Sequence, residues 1–175
     1  MTVELDTASG RDASAEILQR GLWFEEFDPD VVYRHRPGRT ITESDNVLFT
    51  TLTMNTQPLH LDAAFCAEQP PYRQRVVNSM LTLSTLVGVS VARLTLGTIV
   101  ANLGFGETTF PRPVLHGDTL YAETVVTEKR ESKSRQAEGT VAFAHTARNQ
   151  RVEVVATTVR KCMVRKRPEC SQGGE

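Results

Sequence analysis

The sequence has little excess charge and no long apolar run. Its 175 residues carry 20 basic and 21 acidic side chains, for a formal net charge of -1. A nearly neutral chain lacks the electrostatic attraction of a general nucleic-acid binder, so we expect no nucleic-acid partner. Apolar stretches fall short of the roughly 20 residues that cross a bilayer, and no signal-like run opens the chain. We therefore expect no membrane association and a cytoplasmic location.

The sequence is also poor in groups that hold metals or cofactors. Its three cysteines are odd in number and lack the paired short spacings of zinc sites or disulfide frameworks, which predicts reduced, structural thiols: Cys66, Cys162 and Cys170. Three histidines have no partner at metal-ligand spacing, so no metal is expected: His35, His116 and His145. Gly104-Phe105-Gly106 lacks the glycine spacing and following helix of a phosphate loop. No nucleotide cofactor is predicted.

The length and the ends of the chain predict a single folded domain. A chain of 175 residues can bury one substantial core but not two comfortable ones. Residues 1–19 are small and polar, and residues 168–175 contain Gly and Ser, so both segments are predicted to be flexible. The domain is predicted to span residues 20–167.

The first half of this domain has helical signals. Thr42-Glu43-Ser44-Asp45 has the form of a capping box, which predicts a helix from about Glu43 to Met54. Pro58 then interrupts the helix, so residues 55–61 are predicted to be an exposed connector, and Asp62 stands where it can cap a short helix. Residues 76–94 are apolar nearly all round, which predicts a buried helix whose small Ser84 and Gly88 allow close packing on a sheet.

The second half changes to a period of two. Apolar residues alternate over about 99–105 and 120–126, and two more strands are predicted over about 137–146 and 151–164. Short polar segments join the last three strands, which predicts an antiparallel meander. Helices followed by long strands indicate an α+β domain in which one curved antiparallel sheet wraps the buried helix.

Three segments carry a family resemblance. Met54-Asn55-Thr56-Gln57-Pro58-Leu59-His60-Leu61-Asp62 resembles the signature of the MaoC-like enoyl-CoA hydratases, in which an acidic residue precedes the histidine by five positions. The helix start at residues 42–45 and the segment from Phe110 to Leu120 match the same family. The resemblance implies a hot-dog fold and a homodimer or higher homo-oligomer with its site between subunits. It also implies reversible addition of water to an enoyl-CoA thioester, with coenzyme A as part of the substrate and no separate cofactor.

The sequence departs from the family pattern at two places. Asn55 stands where the family has its acidic residue, and Asn78-Ser79 replaces a common His-Gly pair before the central helix. With these changes the chain resembles a subgroup that handles branched C5 dicarboxyl-CoA esters such as mesaconyl-, itaconyl- or methylmalyl-CoA.

The candidate site residues follow from what hydration requires. An imidazole can accept and release a proton near neutral pH, so His60 is the predicted general base. Asn55 either holds the water or the substrate through its amide or simply ends a helix. Asn78 and Ser79 either donate to the thioester oxygen or cap the central helix. Two arginines before that helix suit the phosphates of coenzyme A or a second substrate carboxylate, with a solvated surface position as the alternative: Arg73 and Arg75.

Two other functions fit the same fold. A thioesterase normally uses a carboxylate near the central helix, and residues 75–84 contain neither Asp nor Glu, which argues against this activity. A protein that binds acyl-CoA without turnover is the second alternative, because Asn55 replaces the acidic residue. A test for the gain or loss of one water distinguishes them.

Overall fold

The computed structural model describes residues 17–168 and contains one five-stranded antiparallel sheet in the order β1-β3-β4-β5-β2. The strands are β1 (Tyr33–Thr40), β2 (Ile99–Thr109), β3 (Thr119–Glu131), β4 (Glu138–Arg148) and β5 (Val154–Arg165). The helices are α1 (Glu43–Leu52), α2 (Pro58–Leu61), α3 (Ala63–Glu68) and α4 (Ser79–Leu94), preceded by a 3-10 turn at Phe24–Glu26. Helix α4 lies on β1, β3, β4 and β5. The α+β prediction and the hot-dog arrangement are confirmed.

The predicted ends of the domain fall at the limits of the structure. Residues 1–16 and 169–175 lie outside the described residues, so most of both segments predicted to be flexible, and Cys170, have no structural description. Cys66 and Cys162 are buried free thiols, as predicted for structural cysteines. None of the helices between residues 17 and 168 is long and apolar enough to cross a membrane.

The predicted meander is formed by β3, β4 and β5, which pair in sequence order. Strand β1 was not predicted, because Arg34-His35-Arg36-Pro37-Gly38-Arg39 is polar and contains Pro and Gly. Within residues 17–168 this strand lies at the edge of the sheet and pairs with β3 alone, so its outward side tolerates charge and a residue without an N–H. Only Tyr33 and His35 of β1 are buried.

Helix α4 begins three residues later than predicted and uses a different face. Asn78 caps it, while Val77 before the cap donates its N–H to the Val114 carbonyl at 2.9 Å. The face on the sheet carries residues four apart: Thr82, Leu86, Ser90 and Leu94. Ser84 and Gly88 are exposed, so the prediction that they pack on the sheet is wrong. Thr82 and Ser90 are the small residues that meet it instead, because they share the stripe of Leu86.

The predicted capping sites of the two helices before α4 are confirmed. The Asp62 carboxylate accepts the Phe65 N–H at 2.9 Å at the start of α3, and Thr42 and Asp45 form a reciprocal capping box at the start of α1. The segment over residues 55–61, predicted as an exposed connector, contains the single turn α2, and within it Thr56 and Gln57 alone are exposed. Pro58 begins this turn, since the first helical position needs no N–H donor and suits the fixed φ of proline.

The core consists of two apolar clusters with a polar layer between them. One cluster surrounds Leu94 and the other surrounds Leu86. Between the clusters, α4 and four of the strands contribute buried polar side chains: His35, Ser90, Thr124, His145, Thr158 and Arg160. The Thr124 hydroxyl bonds to His35 Nε2 and to His145 Nδ1, both at 2.8 Å. The layer therefore crosses the sheet beneath the middle of α4.

The N-terminal part of the described chain packs on β4 at a glycine. Phe24 is buried in the Leu94 cluster, and its ring occupies the space where a β-carbon at Gly139 would lie. Gly139 thus allows the Phe24 ring to contact the backbone of the strand. The 3-10 turn that contains Phe24 is fixed to the sheet by this contact.

Candidate active site

His60 lies on the single turn α2, where two backbone groups and one ring atom are fixed. Its N–H donates to the Gln57 carbonyl at 3.1 Å, and its Nδ1 lies 2.8 Å from the Val76 carbonyl oxygen. A carbonyl can only accept a hydrogen bond, so the neutral ring carries its proton on Nδ1. Nε2 is then the unprotonated nitrogen, which is the form that a general base needs.

A cavity of about 340 Å³ opens beside this ring. Its walls are mainly apolar, and its polar lining consists of His60, Tyr72, Ser79, Thr82 and Arg112. Among the described residues, no Asp or Glu lines this cavity. Larger cavities of about 630 Å³ and about 410 Å³ lie elsewhere, the first lined by Trp23 and Arg165 and the second by His35, but His60 lines neither of them. The cavity beside His60 is therefore the candidate active site.

The segment from Phe110 to Val114 forms one wall of this cavity. It is held in place by the turn that leads into β3. Gly117 has φ of 91°, a conformation that suits glycine, and its N–H donates to the Ile41 carbonyl at 2.8 Å. The buried Asp118 carboxylate accepts the Leu115 N–H at 3.0 Å. The element that supported the family resemblance thus shapes the cavity without donating a catalytic group.

Ser79 and Asn78 occupy different positions at the N-terminus of α4. Asn78 is buried, and its side chain accepts the Met80 N–H at 2.9 Å, which is the capping alternative. Ser79 lines the cavity, and its backbone N–H has no acceptor within the part of the chain that the structure describes. The positive end of the helix dipole and this free N–H suit a developing negative charge.

Asn55 does not line the cavity. Its Oδ1 accepts the Gln57 N–H at 3.0 Å, and its own N–H donates to the Thr50 carbonyl at 3.0 Å. Because Gln57 in turn accepts the His60 N–H, Asn55 shapes the turn that carries His60. The two predicted catalytic residues are therefore joined through the backbone.

The two predicted arginines also lie outside the cavity lining. Arg75 forms an ion pair with Glu43 in the first turn of α1, and Arg73 is exposed with φ of 52°. The hydrogen bond and the charge of Arg75 lower the pKa of the Glu43 carboxyl. Burial lowers the pKa of the nearby His116, and Arg75 adds to this shift. In the part of the chain that the structure describes, Arg112 is the one arginine or lysine that lines the cavity, and the sequence did not single it out.

Asn46 is the other residue that sequence patterns did not indicate. It lies on α1, is fully buried, and donates from Nδ2 to the His60 carbonyl at 3.1 Å. Its Oδ1 accepts the Asn78 N–H at 2.8 Å. A polar residue on the inward face of an amphipathic helix was the available signal.

Two curated relatives share much of the described chain. A beta-methylmalyl-CoA dehydratase from Chloroflexus aurantiacus is 33% identical over 147 residues, which cover 84% of this chain and 41% of that protein. A mesaconyl-CoA hydratase from Cereibacter sphaeroides is 31% identical over 147 residues, covering 84% and 42%. The chain thus spans less than half the length of these relatives.

Solved structures show both single and double forms of the fold. A monoamine oxidase regulatory protein from Archaeoglobus fulgidus is 30% identical with a TM-score of 0.76, and the match covers 87% of this chain and all of that one. A conserved hypothetical protein from Mycobacterium tuberculosis, described as a double hot-dog fold, gives a TM-score of 0.74 at 22% identity. That match covers 87% of this chain and 47% of the other.

A family model supports the same assignment over most of the domain. The model for the MaoC like domain matches residues 26–149, which include α1 to α4 and the strands β1 to β4. His60, Ser79 and the wall from Phe110 to Val114 all lie inside this match. The chain belongs to the MaoC-like domain family.

Proposed function

We propose that this domain catalyses the reversible addition of water to the carbon–carbon double bond of an enoyl-CoA thioester. The observation that carries the proposal is the His60 ring, whose Nδ1 proton is held by the Val76 carbonyl while Nε2 is left to act as a base. The family membership and the names of the relatives support the same chemistry.

The reaction uses two groups that line the cavity, the His60 ring and the Ser79 N–H. Nε2 of His60 takes a proton from water, and the water oxygen forms a bond to the β-carbon of the substrate. The π electrons move to the thioester oxygen, where the Ser79 N–H and the positive end of α4 stabilise the enolate. The imidazolium then returns its proton to the α-carbon as the carbonyl reforms. Dehydration follows the same steps in reverse.

The proposed substrate class is a branched C5 dicarboxyl-CoA ester. The two curated relatives are named for beta-methylmalyl- and mesaconyl-CoA, and the cavity holds one cation that can meet a second carboxylate. Glu153 already accepts bonds from Asn149 at 2.7 Å and Arg151 at 2.9 Å, whereas Arg112 lies 3.6 Å from it. Arg112 is thus loosely held and can turn to an anion, a role predicted earlier for Arg73 or Arg75.

The test compares kcat/KM for mesaconyl-CoA and crotonyl-CoA in the native protein, Arg112→Gln and the exposed control Arg73→Gln. Loss of a forked ion pair should cost mesaconyl-CoA about 1.5 to 3 kcal/mol in Arg112→Gln, with a smaller effect on crotonyl-CoA. Equal losses on both esters would assign Arg112 to the phosphates of coenzyme A. A native preference for crotonyl-CoA would reject the dicarboxylate class and leave hydration standing.

The proposed assembly is a homodimer through the open edge of β2. Among the described strands this one pairs with β5 alone, and its Leu103 and Phe105 side chains are nearly half exposed. On the outer face of α4, Met80 is similarly exposed. Unpaired strand edges with apolar side chains favour strand pairing with another chain. Sedimentation of the native protein and of Phe105→Asp tests this, and a native monomer at micromolar concentration would contradict it.

Acyl-CoA binding without turnover is the second candidate, and the position of Asn55 favours it. Its Oδ1 is occupied by the Gln57 N–H, and no Asp or Glu between residues 17 and 168 lines the cavity beside His60. Mass spectrometry of a panel of enoyl- and hydroxyacyl-CoA esters decides between the two. A change in the mass of an ester by one water shows hydration or dehydration, whereas binding of esters whose masses stay unchanged shows a binding protein. Release of free thiol would instead indicate a thioesterase.

A further inference from the structure

We infer that Asn46 is a positioning residue that sets the separation between His60 and the N-terminus of α4. The inference rests on the proposed function, because these two elements supply the base and the donors that stabilise the enolate. Asn46 touches neither the cavity nor any lining side chain through its amide. It acts through the backbone of His60 and Asn78.

The geometry of this contact is that of a single rigid spacer. The Asn46 amide is planar, with Nδ2 bound to the His60 carbonyl at 3.1 Å and Oδ1 bound to the Asn78 N–H at 2.8 Å. Two further bonds join the same segments, from the Val76 N–H to the Leu59 carbonyl at 3.1 Å and from His60 Nδ1 to the Val76 carbonyl at 2.8 Å. Among the described residues, Asn46 is the one side chain of α1 that bonds to both segments.

Burial makes this amide costly unless both of its ends are used. Asn46 is 0% exposed, and an apolar side chain at this position would fill the inward face of α1 without the desolvation of an amide. Each bonded end offsets part of that cost, whereas an unbonded end would leave a buried polar group without a partner and destabilise the fold. A buried asparagine whose two amide ends bond to two parts of one site is therefore explained by the need to hold His60 and Asn78 at a fixed separation.

Thr50 offers a matched control on the same face of α1. It is also 0% exposed and lies one turn after Asn46, but its side chain meets only the Asn78 amide, at 3.4 Å. Thr50→Val keeps the shape of the side chain and leaves both backbone contacts of Asn46 in place. A purely structural role for the polar side chains of α1 would make the two positions respond alike.

Loss of the spacer should affect turnover more than binding. A displacement of about 1 Å between reacting groups can cost up to about 100-fold in rate. An interaction that aligns the base and the enolate donors is needed in the transition state, so its loss lowers kcat and leaves KM little changed. The cavity walls that bind the thioester remain as they are.

The experiment compares the native protein, Asn46→Leu, Asn46→Asp and Thr50→Val on an ester that the native protein hydrates. We expect kcat to fall about 30- to 100-fold in Asn46→Leu with KM within about threefold, and Thr50→Val to stay within about threefold in both. Asn46→Asp keeps an acceptor for the Asn78 N–H but loses the donor to His60, so it should also lose kcat. This variant carries the test if Asn46→Leu does not fold. Circular dichroism verifies folding.

A spectroscopic readout separates this inference from the proposed function. Nitrogen NMR of the His60 ring reports the proton on Nδ1, and both Asn46 variants should show mixed tautomers while Thr50→Val keeps the native one. A native tautomer in folded Asn46→Leu, or kcat equal to that of Thr50→Val, would overturn the positioning role. Failure of the native protein to hydrate any ester would instead reject the proposed function, with the tautomer comparison still deciding the role of Asn46.

Discussion

His60 and His145 are both held through Nδ1, yet their surroundings give them different chemistry. His60 lines a cavity and bonds to a backbone carbonyl, whereas His145 is 1% exposed and bonds to the Thr124 hydroxyl. Burial, with a smaller contribution from Arg160, lowers the pKa of His145 to about 3. An imidazole that stays neutral across the physiological range cannot exchange protons with a substrate. Access to the ring, more than its hydrogen bond, separates a candidate base from a core residue.

The polar groups around the two histidines also differ in how fully they are hydrogen-bonded. Near His60, the Asn46 amide is bonded at both ends and fixes backbone atoms of the site. In the layer around His145, three buried nitrogens have no partner among the described residues: His35 Nδ1, His145 Nε2 and Arg160 Nη1. Such groups are costly in a dry core. The unpaired nitrogens of the layer therefore lower the stability of the fold, whereas the Asn46 amide near His60 holds backbone atoms of the site in place.

The largest expected effect is on turnover, and it tests the comparison of His60 with His145 directly. His60→Ala should lower hydration by at least about 100-fold, because it removes the general base, while the fold stays intact since the ring is partly exposed. His145→Gln should show the opposite pattern, with a clear loss of melting temperature and near-native kcat. Steady-state kinetics and thermal melts of both variants check this. A folded, almost fully active His60→Ala protein would contradict the proposed role.

The next effect concerns pH and sharpens the difference in burial. The unfolded chain binds a proton at His145 near pH 6.5, whereas the folded chain binds it only near pH 3. The pH-dependent part of the unfolding free energy that comes from His145 therefore has its full value above pH 6.5 and is lost as the pH falls toward 3. Between pH 6.5 and 5 this loss amounts to about 2 kcal/mol for one such group.

Urea unfolding at several pH values compares the native protein with His145→Gln. The variant should lose part of the acid dependence of the unfolding free energy. The remaining slope comes from His35 and His116, whose pKa values are also lowered, mainly by burial. Identical slopes in the two proteins would show that His145 is not buried in the neutral form.

The smallest effect concerns the two polar side chains that flank the His60 turn, Asn55 before it and the helix cap Asp62 after it. Asn55→Ala should lower kcat by about 3- to 10-fold, because Gln57 loses the acceptor that shapes the turn carrying His60. Asp62→Asn should leave kcat unchanged, since asparagine also caps α3, and Asp62→Ala should cost about 1 kcal/mol of stability. Kinetics and chemical unfolding of the three variants check these values. A larger kinetic effect at Asp62 than at Asn55 would reverse the assignments.

The sequence predicted features that depend on local signals. The capping residues Thr42 and Asp62, the meander and His60 follow from spacing, periodicity and a short signature, all of which can be read within one segment. Residues 78 and 79 were placed correctly at the entry to α4, although only packing could assign the cap to Asn78 and the cavity to Ser79.

Features that depend on distant contacts were not predicted. Asn46 gains its role from segments 14 and 32 residues away, and Arg112 reaches the cavity only because its wall folds back onto α4. The direction of Ser84 and Gly88 was wrong because an almost uniformly apolar helix gives no periodic signal for its buried face. Strand β1 was missed because its arginines are tolerated only at a sheet edge.

The contact between Phe24 and Gly139 limits how this protein can vary over evolution. A residue with a β-carbon at position 139 displaces the Phe24 ring from the Leu94 cluster unless position 24 carries a smaller side chain. The two positions are 115 residues apart in the chain, but substitutions at them are coupled. A side chain at position 139 overlaps the Phe24 ring, and a smaller side chain at position 24 leaves a void in the core. Lineages that change one of them should have changed both.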